Sequence, residues 1–316
     1  MKYYVYLLVI ILFIGFILYL NIRNINSITV SSIIDYKYKI KFPFLKNNNP
    51  YNSSIIKEND KYIVYTRIDN MSLKNDDDRK VYLGISIFDK NLNLIKQKID
   101  YPETGNFIIE DLRVFTWKNK KYFIGTKWDK YFYPVILDEF YNIYSIVDEQ
   151  NNEYKNDKNY SPLIFDNKLL LIKNHNPLHI LEVNNIKNNK VETTPYFKKN
   201  IDYKFKNLRG NTRYIFIGNN KYLGITHTMN HIDLNSIINW EKSYGHFFII
   251  LNFEDKNNIK IEKISKPVCF LGNCGIEFVM GIEESYDKNN YIITLGKSDK
   301  EAYLVSISKS KINNLF

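Results

Sequence analysis

An all-β fold, a five-bladed propeller, is predicted by a phrase that recurs at blade spacing, by polar turns that divide each repeat into strands, and by a wealth of strand-forming aromatics. The phrase reads KYIVYTR at Lys61–Arg67, KYFIGTK at Lys121–Lys127 and KLLLIKN at Lys168–Asn174. It returns as KYLGITH at Lys221–His227 and NYIITLG at Asn290–Gly296, so the starts are 60, 47, 53 and 69 residues apart. Units of roughly 40–50 residues built from short strands are the signature of propeller blades, and longer steps mark insertions. Asn59-Asp60, Asn119-Lys120, Asp166-Asn167, Gly218-Asn219-Asn220 and Asp287-Lys288-Asn289 lie between apolar runs, where hairpin turns belong. With 26 Tyr, 20 Phe and 45% hydrophobic residues among 316, the chain can fill a large core and cover both faces of its strands.

Taken from the amino terminus, Tyr3–Leu20 is an uncharged apolar run of 18 residues, long enough to cross a bilayer with little tilt. No small-residue cleavage site follows it, so residues 1–20 are expected to be an uncleaved transmembrane anchor. Residues 21–50 then read as a stalk leading to the first blade, and residues 51–316 as the propeller. Sequons at Asn52-Ser53-Ser54 and Asn70-Met71-Ser72 have meaning only if the propeller is luminal or extracellular, the side expected for this single-pass protein. Beyond the anchor, only Asp233–Glu241 has a helical period of more than two turns. Cys269 and Cys274, in CFLGNC, either close a small disulfide loop or remain two buried thiols.

Composition also excludes function classes. The net charge of +10 comes from lysines scattered among acids, and Lys, Asn, Ile, Tyr and Phe are enriched together. No dense basic cluster with interleaved aromatics marks a nucleic-acid reader. His175-x-x-x-His179 and His227-x-x-x-His231 have the spacing of helical zinc pairs, but Pro177 and a preceding strand deny the first that geometry. Two cysteines cannot build a structural zinc site unaided. Neither a metal nor a cofactor is expected.

The segments preceding each phrase are more polar than a core strand needs. They read Tyr51-Asn52-Ser53-Ser54, Glu110-Asp111-Leu112-Arg113, Asn159-Tyr160-Ser161-Pro162, Leu208-Arg209-Gly210-Asn211-Thr212 and Glu277-Phe278-Val279-Met280-Gly281. The phrase ends Arg67, Lys127, Asn174 and His227 are polar at a shared register. Groups at equivalent points of successive blades converge on the axis, and a concave ring of hydrogen-bonding side chains suits a sugar.

Glu110-Asp111-Leu112-Arg113-Val114-Phe115 resembles a Glu-Asp-Pro-Arg phrase, Asn52-Ser53-Ser54 an Asn-Pro-Ser phrase followed by the Arg at Arg67, and Gly296-Lys297-Ser298-Asp299 a last-blade Gly-x-x-Asp. In this order the set resembles the five-bladed β-mannoside phosphorylases and β-1,2-mannosyltransferases of the glycoside hydrolase family 130 type, over about Asn52 to Ile307. The resemblance implies that Asp111 is the proton donor and that Asp299 binds sugar hydroxyls. It implies a phosphate or donor-phosphate site, for which Arg209, Lys127 and His227 are candidates by register. Asn52, Arg67, Arg113, Ser161, Arg209, His227 and Asp299 are the expected substrate ligands. Leu112 and Ser53 stand where the family has proline, which fixes φ and aims the neighbouring residue.

From the residues themselves, an acid that protonates a departing sugar oxygen needs a raised pKa, and Glu110 is sent to the opposite face by strand alternation. Glu110 is then a structural partner for a neighbouring blade. Asp111 and Arg113 are alternatively a bracing ion pair. Inverting hydrolysis needs a second carboxylate about 6.5–9.5 Å away, for which Glu153, Asp157 and Glu277 are available. Phosphorolysis or transfer needs cations instead. Trp117 and Trp128 are placed either to stack on a sugar or to fill the core. The expected function is a membrane-anchored glycan-active enzyme, acting on mannosides with a sugar phosphate or nucleotide sugar. A non-catalytic glycan-binding propeller, an inverting hydrolase and a protein-interaction platform are the alternatives.

Overall fold

A computed structural model describes residues 28–29, 31–44, 48–69, 81–100, 108–201, 208–230, 243–272 and 275–316, with Tyr6, Ile10, Leu12 and Phe13. Among these residues nearly everything regular is strand, and each copy of the recurring phrase is the second strand of an antiparallel meander. The first meander comprises Asn49–Glu58, Lys61–Asp69, Val81–Asp89 and Leu94–Asp100. The second runs through Ile108–Trp117, Lys120–Trp128, Phe132–Asp138 and Ile143–Val147. The third has Ser161–Phe165, Lys168–His175, Leu178–Lys187 and Lys190–Lys199. Its last strand pairs in parallel with that of the second meander, Ser145–Val147 against Lys190–Glu192, which merges the two into one eight-stranded sheet.

The fourth meander opens with a strand broken into Arg209–Gly210 and Ile215–Gly218, then continues through Lys221–Asn230, Ser243–Asp255 and Asn258–Ile264. The last contains Glu277–Glu284, Asn290–Lys297 and Glu301–Ser308. Its outer strand is Tyr36–Ile40, from the other end of the chain, paired antiparallel from Tyr36↔Ser306 to Ile40↔Ala302. Residues 36–40, expected as stalk, therefore belong to a sheet, and Ile40 and the following Phe42 are core.

Turn chemistry explains the meanders. Asn59-Asp60, Lys118-Asn119, Asp166-Asn167, Asn188-Asn189 and Asn219-Asn220 all carry positive φ at both residues, the requirement of a type I′ hairpin turn and the reason Asn and Asp recur there. Asp89 and Asp138 each accept two backbone N–H groups of a following turn and bond an Asn four residues on, at Asn93 and Asn142. These Asx turns join the third and fourth strands of the first two meanders.

Among the described residues, no helix is long and apolar enough to cross a membrane. The anchor expected at Tyr3–Leu20 lies almost wholly outside them, as does the helix expected at Asp233–Glu241. The one α-helical turn at the carboxyl end is Lys309–Asn313. Cys269 is buried and disulfide-bonded, while Cys274 lies outside the described residues.

Ile40 is fully buried among Val64, Ile292 and Leu304 at the seam between the two chain ends. Replacing it by Ala is expected to cost about 2–5 kcal/mol in urea unfolding, as for a core aliphatic residue, although it lies near the end of a five-residue strand.

Candidate functional site

The site is built on irregularities in the strands that open the meanders. Register shifts between Tyr51 and Ser53 in the first, and between Glu110 and Arg113 in the second. At these bulges Asn52 (φ 46°) and Asp111 (φ 57°) adopt the left-handed conformation, which a non-glycine residue seldom takes outside turns and sites. Asn159, just before the third meander, does the same at φ 66°. Bulges re-aim side chains, and here they bring Asn52 Nδ2 within 2.9 Å of Asp111 Oδ1. The backbone can close up because Gly296 has no side chain: a Cβ there would lie 2.6 Å from Asn52 N and nearer still to its Oδ1.

Arg67 is the cation of this centre. Its Nη1 donates to Glu110 Oε2 at 2.7 Å and to Asp111 Oδ1 at 3.3 Å, and its Nη2 donates to Asp69 Oδ2 at 3.1 Å. Tyr51 donates to the same Asp69 oxygen and lies under the guanidinium, 4.8 Å from ring centroid to Cζ. Burial works against the charge of Arg67, but Glu110, Tyr51, Asp111 and Asp69 outweigh it and keep the group protonated. Glu110 is not turned away, as regular alternation would have it. The bulge puts it on the same guanidinium as Asp111, where it braces the neighbouring meander as expected.

The protonation of Asp111 departs from expectation. Burial pushes its carboxyl up, yet Arg67, Arg113, the Asn52 hydrogen bond and Lys158 together hold it below the usual carboxylate range. In the free protein Asp111 is therefore a carboxylate at neutral pH. Its Oδ2 has no hydrogen bond among the described residues, while Oδ1 takes both bonds.

Arg113 is almost fully buried. It bonds the Asn211 carbonyl through Nε, the Asp111 carbonyl at 2.9 Å and Asn159 Oδ1 at 3.0 Å, and so joins the second, third and fourth meanders. Its contact with Asp111 is through the backbone carbonyl, where a bracing ion pair would engage the carboxylate. Burial pulls its pKa down to about 10, against the pull of the Asp111 charge.

His227 is buried with Tyr244 and Phe278 edge-on at 5.4 and 5.2 Å. Burial, His246, Arg113, Arg209 and Lys158 hold it neutral. Arg209 pairs with His227 across the strands, is exposed, and has no hydrogen bond or ion pair among the described residues. Lys158 is half-buried over the Phe132 ring at 4.7 Å, and its charge reaches both Asp111 and His227. Asp299 (φ 51°) acts on Tyr51 and Tyr244, two groups that also feel Asp111.

The structure thus gathers Asn52, Arg67, Asp111, Arg113, Arg209, His227 and Asp299. Ser161 is buried against Gly210, and its Oγ has no hydrogen-bond partner among the described residues. Lys127 is seated on Asp129 at 3.8 Å and on the Tyr133 ring at 5.8 Å. Missed in the sequence were Lys158, Tyr244 and the Asn211 carbonyl, which no motif flags. Asn159 was legible as a third Asx residue at the register of Asn52 and Asp111.

Among the carboxylates considered as a second catalytic group, Glu277 is buried and accepts the Phe270 and Leu271 N–H groups at 2.7 and 2.8 Å. Asp157 is bound by Tyr160 and Lys173, each at 3.0 Å, and Glu153 is exposed. Trp117 donates to the Asn167 carbonyl from the core, and Trp128 stacks on Phe132 at 5.9 Å. The sequon at Asn52 is closed to a glycan, because its amide is buried and bonded to Asp111, and Asn70 lies outside the described residues. Among the described residues no group of His, Cys, Asp and Glu is arranged to hold a metal ion.

No family model and no curated protein matches this chain. Solved structures do. A mannoside phosphorylase-family structure, whose study describes glycoside hydrolases that target β-1,2 mannosidic linkages in Candida mannan, superposes with a TM-score of 0.60 over 91% of this chain and 93% of that one, at 12% identity. The fold is that of the family 130 mannoside phosphorylases and glycosidases. A GDP-Man-dependent mannosyltransferase from Leishmania mexicana covers 88% of this chain and 91% of its own at TM-score 0.55 and 14% identity. A mannose phosphorylase from the same organism, in complex with phosphate, covers 90% and 91% at TM-score 0.52 and 13% identity.

Two outcomes follow from this geometry. Arg67→Met strands three carboxylates and is expected to cost about 3–5 kcal/mol in urea unfolding at pH 7. Because the folded pKa of Asp111 is depressed, its stabilisation is present above its unfolded value of about 3.9 and is lost as pH falls through the folded value. Asp111→Asn should therefore flatten the acid limb of a Tm-against-pH curve and leave its slope above pH 6 unchanged.

Proposed function

We propose that this chain is a membrane-anchored glycan-active enzyme, a five-bladed propeller whose blades are the five meanders. It transfers a mannosyl unit with inversion between a phosphate-bearing donor and a mannoside, with Asp111 as acid/base. The observation that carries the reading is an ionised Asp111 that shares with His227 the charge of Lys158, while Arg209 lies across the strands from His227, and neither Lys158 nor Arg209 is paired with a carboxylate among the described residues. Phosphorylase, glycosidase and mannosyltransferase activities named for proteins of the same fold support the substrate class.

In the synthetic direction an acceptor hydroxyl attacks the anomeric carbon and gives its proton to the Asp111 carboxylate. The bond from that carbon to the donor phosphate oxygen breaks, and the electron pair leaves on phosphate, held by Arg209 and Lys158. A phosphate leaving group needs no acid, so one carboxylate suffices. In reverse, protonated Asp111 gives its proton to the departing mannoside oxygen as phosphate attacks. Inverting hydrolysis would need a second carboxylate to activate water, and Asp157 and Glu277 are both committed to protein partners. Neutral His227 and half-buried Tyr244 offer a hydrogen-bonding and apolar wall, and Asn52, Ser161 and Asp299 offer groups for sugar hydroxyls.

The run Tyr3–Leu20 serves in this reading as the anchor, with the propeller luminal or extracellular. A disulfide at Cys269 supports an oxidising compartment.

The test is release of phosphate or GDP from α-mannose 1-phosphate or GDP-mannose with mannoside acceptors. Asp111→Asn is expected to lower kcat about 10²–10⁴-fold. Lys158→Met and Arg209→Met should raise the donor KM about tenfold and change kcat less. Equal mannoside binding by native and Asp111→Asn proteins, with no turnover by either, would instead identify a glycan-binding module.

A further inference from the structure

Glu110 and Asp111 are consecutive, yet both reach one guanidinium, because the bulge between Glu110 and Arg113 breaks the alternation that would separate them. Arg67 Nη1 lies nearer to Glu110 Oε2, at 2.7 Å, than to Asp111 Oδ1, at 3.3 Å. Its Nη2 is held by Asp69, which Tyr51 fixes in turn, and its Nε is buried with no hydrogen-bond partner among the described residues. One cation is thus divided among three carboxylates, and the residue placed for chemistry has the longest share. An arginine free to choose would present two N–H groups to a single carboxylate in a fork, the strongest arrangement open to it.

We propose that Glu110 is a positioning residue: it anchors Arg67 at a distance from Asp111, so that the guanidinium orients the Asp111 carboxylate through Oδ1 without clamping it and leaves Oδ2 to meet a substrate hydroxyl. This role rests on Asp111 as the acid/base, and it adds a device that tunes that group. Removing the Glu110 charge acts twice in one direction. It withdraws a negative neighbour from Asp111, and it releases Arg67 to close on the remaining carboxylate. Both make Asp111 less basic.

The other groups facing Asp111 are Asn52, Tyr51, Arg67 and Asp69 from the first meander, and Arg113 from its own strand. Lys158 faces it from the segment before the third meander, Tyr244 from the fourth and Asp299 from the last. Apart from Arg67 itself, none of these groups bonds Arg67 Nη1, so substitution of Glu110 isolates the effect.

The experiment is a carboxyl ¹³C NMR titration of the protein with labelled aspartate, in which the Asp111 signal is identified by its absence from Asp111→Asn. Glu110→Gln is expected to move the Asp111 inflection down by about one unit, and Glu110→Asp, which keeps the charge on a shorter arm, by less. An inflection that stays in place or rises in Glu110→Gln overturns the proposal. The titration needs no turnover, so its result is separate from whether the chain is a mannosyl-transferring enzyme. Where turnover is found, Glu110→Gln should lower kcat about 3–10-fold with KM little changed, shift the acid limb of the pH profile down, and recover in part in Glu110→Asp. A Glu110→Gln protein with an altered Tm but an unmoved Asp111 inflection would show a bracing role alone, which also overturns the proposal.

Discussion

The centre of this molecule depends on one buried cation. Arg113 is among the largest fully buried side chains, and a guanidinium there must find acceptors or destabilise the fold. It finds them on three successive meanders: the carbonyls of Asp111 and Asn211 and the side chain of Asn159. Two of those acceptors are available only because Asp111 and Asn159 are left-handed, which swings their groups out of the strand line. The same dihedral that offers Asp111's carbonyl to Arg113 also directs its carboxyl at Asn52 and Arg67. Fold and site therefore share one strained residue, and neither can be altered there without the other.

That sharing shapes the electrostatics. Arg113 and Arg67 hold Asp111 through backbone and side chain respectively, and both lower its affinity for a proton. A group poised this way is a base in the resting protein, and in the proposed reaction it would protonate a sugar oxygen only once bound ligand had altered its surroundings. An incoming phosphate dianion would do so, since negative charge beside a carboxylate raises its pKa. In the proposed reaction, acid and base roles would then belong to different stages.

The sequence disclosed the strands well and the site unevenly. Hairpins were legible because the type I′ turn demands positive φ twice, and Asn and Asp tolerate it. Asp111, Asn52 and Arg67 were legible as polar residues where a buried strand has no use for them. Glu110 was misplaced because period-two alternation holds only in a regular strand, and a bulge leaves no mark in composition. Lys158 was hidden in a polar loop, and its proximity to Asp111 and His227 depends on how that loop folds back over Phe132. The membership of Tyr36–Ile40 in the last sheet was equally invisible, since a lone strand of five residues carries no sign of a partner more than 260 positions away.

That remote pairing governs the order in which the molecule can come into being. Among the described strands only the two-residue Ile28–Thr29 is synthesised before Tyr36–Ile40, whereas its partner Glu301–Ser308 is synthesised last. Until then Ile40 and Phe42 have no sheet to join, and the emerging chain must keep them from other apolar surfaces. The loop to be closed is nearly the whole polypeptide, which places this step among the slow, non-local ones. A ribosome that stopped a few residues short of Glu301 would leave Tyr36–Ile40 without its partner as surely as a deletion of that strand's partner would.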